Sequence, residues 1–369
     1  MSPREGFRLR PSLDRRGPVP QAPALRPTVS VVIANYNYAR FLRESIGSAL
    51  SQSCVDVEVI VVDDLSTDGS VSVAGSIAAA EPRVRLIERL ANGGPVAAFN
   101  DGLEAATGEY LIRLDADDLL TPGSVARATA LAEQHPTVGL VYGHPQHFSG
   151  GSEHVNHRGT ATGWTVWPGS DWVELRCRLG HNCITSPEVV MRMSVVTEVG
   201  GMRPLPHTHD LEWWMRIARV SDVGWLATAD QALHRKHDDS LSAREVDVIR
   251  DLEERAVAFE TLFTDGQGDP ATDARMLALA RDSLAGEAVA RATQAYAAGR
   301  GGSEETIAYL AYVERVRGSA AGLPRSGALD HALRLGAARA RLSPVLIALA
   351  VLHRRELIAG HRRWLRSGV

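Results

Sequence analysis

Residues 110–118 read YLIRLDADD, and the fold is best approached from this stretch. Its first five residues are mostly apolar and β-prone, which predicts a buried strand. Three carboxylates follow at once. Because side chains alternate faces along a strand, Asp115 and Asp117 are expected to point the same way. Their like charges repel, and a hard divalent cation such as Mg²⁺ or Mn²⁺ bound between them would remove that cost.

Two interpretations of this acidic stretch are open from these residues alone. One is a metal site. Since Mg²⁺ is usually held by one or two carboxylates together with substrate phosphates, such a site implies a phosphorylated substrate. The other is a structural acidic turn before a helix that starts near Thr121-Pro122-Gly123. Asp118 should face the opposite way from Asp117, so a structural role is expected for it.

Composition limits the class of protein. With 369 residues the chain has room for one large or two smaller domains. A net charge of −4 gives no sign of nucleic-acid binding, and three scattered cysteines suit neither a disulfide framework nor a zinc site. The chain has no apolar run of roughly 18 residues and no N-terminal apolar signal core, so we expect a cytoplasmic protein.

Strand and helix patterns alternate from Thr28 onward. The strand patterns cover residues 29–33, 57–62, 84–87 and 110–114. This alternation predicts an α/β fold with a mostly parallel, Rossmann-like sheet flanked by helices. Ligands of such sheets bind beyond the carboxyl ends of the strands. Polar clusters follow the strand patterns at residues 35–37, 63–64, 92–94 and 115–118. We therefore expect these four loops to converge on one site.

Four segments carry a resemblance to a known family. They are VSVVIANYN at 29–37, EVIVVDDLSTDGS at 58–70, NGG at 92–94 and GEYLIRLDADD at 108–118. In order and spacing they resemble the family-two inverting glycosyltransferases of GT-A fold. Leu65 is a departure, since many members have glycine there. The resemblance implies a nucleotide-diphosphate sugar donor, with a UDP-sugar expected, Mg²⁺ or Mn²⁺ as cofactor, and inversion at the anomeric carbon.

The resemblance also implies roles for single residues. Asp64 matches the carboxylate that hydrogen-bonds the uracil or other base. Asp117 matches the carboxylate that reaches the metal, and Asp115 the one that lies toward the ribose and the metal. The other positions assigned to the nucleotide site are Ala34, Asn35, Tyr36, Asn92 and Gly93.

A Trp-rich helix predicted after Thr208 supplies the candidate base. Inverting transfer is a single displacement in which the acceptor hydroxyl loses its proton, and an aspartate in a partly apolar site can accept it. Family members often show Glu-Asp before this helix, and Asp210 matches that Asp. A helix cap is the alternative role for Asp210, compatible with the first. His209 stands in place of the Glu; it and Trp213 are expected to contact the acceptor or the diphosphate.

The segment HRKHDDSLS at 234–242 resembles the closing loop of the family. The resemblance brings His237 to the donor diphosphate, where it would ligate the metal or offset the leaving phosphate. Arg235 is expected to contact the diphosphate. A solvated charged loop is the alternative for each of these residues.

Residues 143–170 are rich in His, Gly and Trp and are expected to form a loop. Trp164 and Trp167 could stack on a sugar ring or pack in the core, and both interpretations stay open.

We expect three regions along the chain. Residues 1–27 are a disordered basic tail, 28–242 a GT-A domain and 243–369 a C-terminal helical region. Within the GT-A domain, 28–120 form the nucleotide-sugar half and 121–242 the acceptor half. In the helical region the apolar segment 342–352 is flanked by arginines. Internal packing is expected for it, with peripheral contact at the inner face of a membrane or a homodimer as alternatives.

These expectations combine into one function and one alternative. The first is metal-assisted, inverting transfer of a sugar to an acceptor hydroxyl, with Asp210 as general base. The alternative is a nucleotide-sugar binding or scaffolding protein without turnover. The acceptor is left open.

Overall fold

The fold is described from a computed structural model for residues 13–16, 23–24, 26–152, 155–237 and 248–369. The described residues form two units. A sheet unit comprises residues 13–172, 183–237 and 365–369, and a helical unit comprises 173–182 and 248–364. The predicted boundary at 242/243 and closing-loop residues 238–242 lie outside the described residues.

Ten strands make one sheet in the sheet unit. They are β1 (Leu13–Arg16), β2 (Thr28–Asn35), β3 (Asp56–Asp63), β4 (Val84–Glu88), β5 (Tyr110–Asp115), β6 (Leu119–Leu120), β7 (Val138–Phe148), β8 (Gly163–Trp167), β9 (Val190–Arg192) and β10 (Asp222–Arg235). The strand order is β1-β8-β10-β7-β9-β5-β2-β3-β4, and β6 pairs with β10. A single sheet thus runs through both predicted halves of the domain.

The helices follow the same chain order. The first seven are α1 (Ala39–Leu50), α2 (Ser70–Ala80), α3 (Gly94–Glu104), α4 (Ser124–Gln134), α5 (Gly169–Leu179), α6 (Met193–Val199) and α7 (His209–Val220). The helical unit continues with α8 (Val248–Phe263), α9 (Pro270–Ala297), α10 (Glu304–Arg317), α11 (Ser326–Ala340) and α12 (Pro344–Ser367).

The N-terminal half of the sheet is parallel, as predicted. β2 pairs in parallel with β3 and β5, and β3 with β4. Val31, Val61 and Ile112 are fully buried on these strands, because helices cover both faces of a parallel sheet. Beyond β5 the sheet is mixed. The short strand β9 lies antiparallel between β5 and β7, and β8 lies antiparallel to β10.

Two segments differ from the sequence prediction. Residues Leu13–Arg16, within the predicted disordered tail, pair antiparallel with β8, while most of that tail lies outside the described residues. Residues 143–170, predicted as a loop, continue β7 to Phe148 and then form β8. Trp164 and Trp167 are buried on β8, so both pack in the core.

The helical unit is built on α9, whose N-cap Asp269 accepts a 2.9 Å hydrogen bond from the Thr272 N–H. Ser303 caps α10 through the Thr306 N–H at 3.3 Å. The last helix is different, because Leu346 is its only buried residue. The internal packing predicted for segment 342–352 is therefore present on one side only, where Leu346 joins a cluster with Ala332 and Ala340, while most of its other apolar side chains are exposed.

Candidate functional site

The carboxyl ends of β2, β3 and β5 bring the predicted nucleotide residues together. In the sheet register Ala34 is paired with Asp115 on one side, and Asn35 with Asp63 on the other. The Asp64 N–H also donates to the Asn35 carbonyl at 2.8 Å. The expected convergence of these strand-end loops is therefore present, and it follows from parallel pairing.

Asn35 and Asp63 form a buried polar layer beneath this edge. The Asn35 amide donates to Asp63 Oδ1 at 2.8 Å, and the Ser66 N–H donates to Asp63 Oδ2 at 2.8 Å. Asn35 Oδ1 is buried and has no hydrogen-bond partner among the described residues. Tyr36, the next residue, is exposed. Asn35 thus supports the carboxyl edge of the sheet as a buried residue, whereas Tyr36 faces solvent and is accessible to a ligand.

Asp64 is held by protein donors at the N-terminus of α3. Its carboxylate accepts the N–H groups of Gly93 at 2.9 Å and Gly94 at 2.7 Å, and it forms an ion pair with Arg89. The Asn92 amide donates to the Asp64 carbonyl at 3.0 Å. A helix N-terminus favours a carboxylate there. These hydrogen bonds connect Asp64, at the end of β3, to Asn92 and Gly93, at the start of α3.

Arg113 and Asp115 project from the same face of β5. Their side chains form a 2.7 Å ion pair, and Arg113 is buried whereas Asp115 is half-buried. The pair fixes the direction of Asp115 and offsets its charge. Asp115 therefore stands at the site with a cationic partner already in contact.

Asp117 lies in the turn after β5 and reaches the end of β10. His237 Nε2 shares a 2.8 Å hydrogen bond with Asp117 Oδ2. The His237 ring also packs on Phe41, with ring centroids 5.1 Å apart. Burial raises the pKa of Asp117, and the charge of Asp115 raises it further, whereas His237 opposes the rise. The three predicted ligands thus lie in one electrostatic environment.

Asp115, Asp117 and His237 are the predicted ligands of a divalent cation. Among the residues that the structure describes, no three His, Cys, Asp or Glu side chains are grouped so as to hold a metal ion. The predicted ligand set is therefore split, since Asp115 pairs with Arg113 and Asp117 with His237. The chemistry of the donors nevertheless fits. The two carboxylates repel each other, and His237 Nδ1 is buried and has no hydrogen-bond partner among the described residues.

Asp118 turns inward, in line with the structural role expected for it. It is fully buried and accepts hydrogen bonds from His234 Nδ1 at 3.0 Å and the Arg235 N–H at 2.8 Å. Burial acts to lower the pKa of His234, but the hydrogen bond and charge of Asp118 dominate and raise it to about 9. The pair therefore fastens the turn after β5 to the end of β10.

Arg235 lies inside the protein and not toward a ligand. It is buried between Phe41 and Phe148, with its guanidinium carbon 4.7 and 4.4 Å from the two ring centroids. Its nitrogens donate to Glu44 and to the Gly150 carbonyl, each at 2.6 Å, and to the Asp117 carbonyl at 2.9 Å. With these donors in use, the structure assigns Arg235 to positioning and not to the predicted diphosphate contact.

The candidate base stands in the first turn of α7. The helix N-cap is Thr208, so Asp210 is a residue of the helix and not its cap. The Leu211 N–H donates to Asp210 Oδ1 at 2.7 Å, and Ser186 Oγ lies 3.4 Å from Asp210 Oδ2. Ser186 is buried at φ 111°, an uncommon conformation for a residue with a side chain. A strained, fixed serine thus lies beside the carboxylate.

His209 links this helix to the acidic edge. Its Nδ1–H donates to the Pro206 carbonyl at 2.6 Å, which leaves Nε2 as the acceptor nitrogen. Burial and the charge of Arg113 lower the pKa of His209, while Asp210 and Asp115 oppose that change. His209 is therefore neutral at pH 7, and it shares one electrostatic environment with Asp115 and Asp210.

Trp213 is part of the core. It is fully buried, its Nε1–H donates to the Gly200 carbonyl at 3.0 Å, and its ring packs on Phe99 and Trp214 at 5.2 Å. The predicted contact of Trp213 with an acceptor or diphosphate is therefore replaced by a packing role.

Several residues of the site were missed from the sequence. They are Glu44, Arg89, Arg113, Ser186 and His234. Arg113 carried a usable signal, because it stands two positions before Asp115 and shares its strand face. The others had none, since only the fold brings them to their partners.

Comparison with known proteins was made on sequence. Residues 30–194 match the profile of "Glycosyl transferase family 2". The "Putative glycosyltransferase EpsE" of Bacillus subtilis (strain 168) is 31% identical over 218 residues, which cover 58% of this chain and 74% of that protein. An uncharacterized glycosyltransferase of Nostoc sp. is 41% identical over 115 residues, and the chain spans only 35% of that relative's length.

Solved structures share the fold at low identity. A mannosyltransferase from Pyrobaculum calidifontis, in complex with GDP-Man and Mn²⁺, superposes with TM-score 0.53 and 20% identity over 94% of this chain and 90% of its own. S. aureus TarS 1–349, in complex with UDP-GlcNAc, gives 0.50 and 15%, over 79% and 92%. The predicted GT-A fold is thereby confirmed. Because EpsE is 31% identical and is covered over 74% of its length, the chain belongs to glycosyl transferase family 2.

Proposed function

We propose that this chain transfers a sugar from a nucleotide-diphosphate sugar to an acceptor hydroxyl, with inversion and with help from a divalent cation. One observation carries the proposal. Asp115 and the Asp117–His237 pair lie at the carboxyl end of β5, and His209, the neighbour of Asp210 in the first turn of α7, interacts electrostatically with Arg113 and Asp115. Family membership supports nucleotide-sugar chemistry, and two proteins of similar fold were solved with UDP-GlcNAc and with GDP-Man.

Asp210 is the proposed base. Asp210 stands in the first turn of α7, where the positive end of the helix dipole favours a carboxylate, and its Oδ1 accepts the Leu211 N–H. As the acceptor oxygen attacks the anomeric carbon, its proton passes to Asp210 and the bond to the donor diphosphate breaks. Ser186 would hold the carboxylate in position. Neutral His209 presents an acceptor nitrogen beside it, suited to a second substrate hydroxyl.

Asp117, Asp115 and His237 are the proposed holders of Mg²⁺ or Mn²⁺. Binding a cation would require Asp117 and His237 to exchange their mutual hydrogen bond for metal bonds, and Asp115 to turn from Arg113. The ion would supply positive charge next to the leaving diphosphate.

Ala34, Asn35 and Tyr36 are proposed to line the nucleoside pocket, with Tyr36 offering an exposed ring to a base. Asp64 shapes this pocket through its hydrogen bonds with Asn92 and Gly93. A direct bond from Asp64 to the base would require one of its present donors, such as Arg89, to give way.

The experiment is a donor screen followed by substitution. Purified chain is incubated with UDP- and GDP-sugars, with Mn²⁺ or a chelator, and nucleotide diphosphate release and transfer are followed. We expect Asp117→Asn to lower metal-dependent release, and Asp210→Asn to lower transfer, each by about 100-fold or more. Product NMR would give the anomeric configuration, and retention would contradict inversion.

The matched control is Asp282→Asn, the same chemical change at an exposed residue of α9 paired with Arg317. It should leave activity unchanged. Full activity of Asp210→Asn would exclude that residue as the base. If nucleotide sugars bind the unmodified chain but none turns over, the binding-protein alternative is the correct one.

A further inference from the structure

Helix α12 presents an apolar surface that the described residues of the chain do not cover. Its only buried residue is Leu346. The exposed fractions along its first half are 57% for Val345, 49% for Ile347, 51% for Val351 and 50% for Leu352, and Leu342, two residues before the helix, is 71% exposed. Single exposed leucines are ordinary, but a contiguous set of this kind marks a binding surface.

The same helix is strongly basic, in a chain whose net charge is −4. Within residues 344–367 the sequence has five arginines and one carboxylate, Glu356. Arg325 forms a 2.6 Å ion pair with that carboxylate. Arg354 and Arg355 directly follow the apolar half and are exposed. An apolar stretch is thus continued by a concentrated positive charge.

We propose that α12 docks on an anionic phospholipid surface. Its apolar half enters the boundary between head groups and acyl chains, and Arg354 and Arg355 contact lipid phosphates. Arginine suits this position, because its stem packs on apolar surface while its guanidinium stays at the polar level.

Charge decides between this partner and a second copy of the chain. A two-fold interface places the same patch on both sides. Two copies joined through α12 would gather two basic segments in one interface with Glu356 as the single carboxylate of each helix, and like charges concentrated at an interface are costly. A membrane of anionic lipids offers both an apolar layer and the opposite charge.

The surface mode is also favoured by the length of the apolar stretch. Residues 344–352 are shorter than the roughly 20 residues that cross a bilayer. Within the described part of the chain, no single helix is long and apolar enough to span a membrane, although α11 and α12 together pass that test across a bend of 105°. The arginines that follow Leu352 set the depth that α12 can reach.

The test is vesicle flotation with the full chain. Phosphatidylglycerol–phosphatidylcholine vesicles should carry the protein, pure phosphatidylcholine vesicles should not, and 0.5 M NaCl should release it. Arg354→Glu with Arg355→Glu should reduce vesicle binding at least about tenfold. The matched control is Arg281→Glu with Arg315→Glu. It makes the same change in net charge at exposed residues of α9 and α10.

A second variant addresses the apolar half. Val351→Ser with Leu352→Ser changes no charge, and it should weaken vesicle binding about tenfold with an unchanged thermal midpoint, because both side chains are exposed. Equal loss in the α9/α10 control would overturn the proposal, as would absence of binding to anionic vesicles. The proposal would also be overturned if sedimentation velocity showed a dimer that is lost only in the serine variant. Donor hydrolysis without vesicles should be the same in all variants.

Discussion

Leu65 holds a backbone conformation that its side chain disfavours. It lies between Asp64 and Ser66 with φ 64°, in the left-handed region, and half of it is exposed. That conformation costs a residue with a Cβ about 1–2 kcal/mol. Leu65→Gly should therefore stabilise the sheet unit by about 0.5–1 kcal/mol, after the extra unfolded-state entropy of glycine is counted. Urea denaturation measures the difference.

Leu90 provides the matched control. It is 98% exposed and is not among the residues with positive φ. Leu90→Gly should therefore destabilise by a similar amount, through chain entropy alone. A loss of stability in both variants would show that the turn at Leu65 is not strained.

A substitution at Trp213 distinguishes a packing role from a role in substrate contact. Trp213→Phe removes the hydrogen bond to Gly200 and part of the contact with Phe99 and Trp214. The expected cost is about 1–3 kcal/mol of unfolding free energy, with KM values for donor and acceptor unchanged. Denaturation and steady-state kinetics check the two halves of this prediction. A raised acceptor KM at unchanged stability would restore the contact role predicted from sequence.

At the scale of single residues, sequence patterns identify carboxylates better than the cations that face them. Asp64, Asp115 and Asp117 stand at strand ends and in family motifs. Arg89 meets Asp64 from 25 positions away and Arg235 meets Glu44 from 191 positions away. Arginine side chains are long, and their partners depend on tertiary packing. The sequence therefore located the edge of the site but not which oxygens were already in use.

Between elements, the Asp118–His234 pair predicts a pH dependence. The pKa of His234 is raised from 6.5 to about 9 in the folded chain. Burial raises the pKa of its partner Asp118 to about 7, so the charged pair is complete between about pH 7 and 9, and the contribution of His234 to stability is lost as pH rises through about 9. The expected loss is on the order of 1–3 kcal/mol.

This loss is measured against His234→Gln, since glutamine can still donate to Asp118 but does not titrate. Unfolding free energies at pH 7 to 10 should converge for the two proteins as pH rises. Parallel profiles would show that the imidazole carries no charge in the fold.

Elements with strong periodic patterns were predicted well. The runs at 29–33, 57–62 and 110–114 lie within β2, β3 and β5. Residues 143–170 were missed. Pro145 and several polar residues interrupt the expected pattern, and β7 continues through them by irregular pairing with β10. The apolar run in α12 was predicted to be buried, and most of it is exposed. Periodicity alone does not show which other element, if any, covers a helix face.

For the molecule as a whole, ligand binding should appear as stability. A nucleotide-diphosphate sugar at 100 times its Kd should add about 2.7 kcal/mol to the unfolding free energy of the sheet unit. Mn²⁺ should increase this effect in the unmodified chain. In Asp117→Asn the nucleotide effect should persist and the Mn²⁺ increment should vanish, as measured by thermal shift. An increment that survives the substitution would place the cation elsewhere.

The Asp117–His237 contact joins residues 120 positions apart, and the Asp118–His234 contact 116. Closing loops of this size is slow compared with forming local structure. During synthesis β2 to β5 can pair while β10 has yet to leave the ribosome, since domains grow from the N-terminus. The acidic edge is then made early and stays without its histidines until residues 234 and 237 have been translated. A nascent chain stalled before β10 would hold the nucleotide edge but not the completed centre.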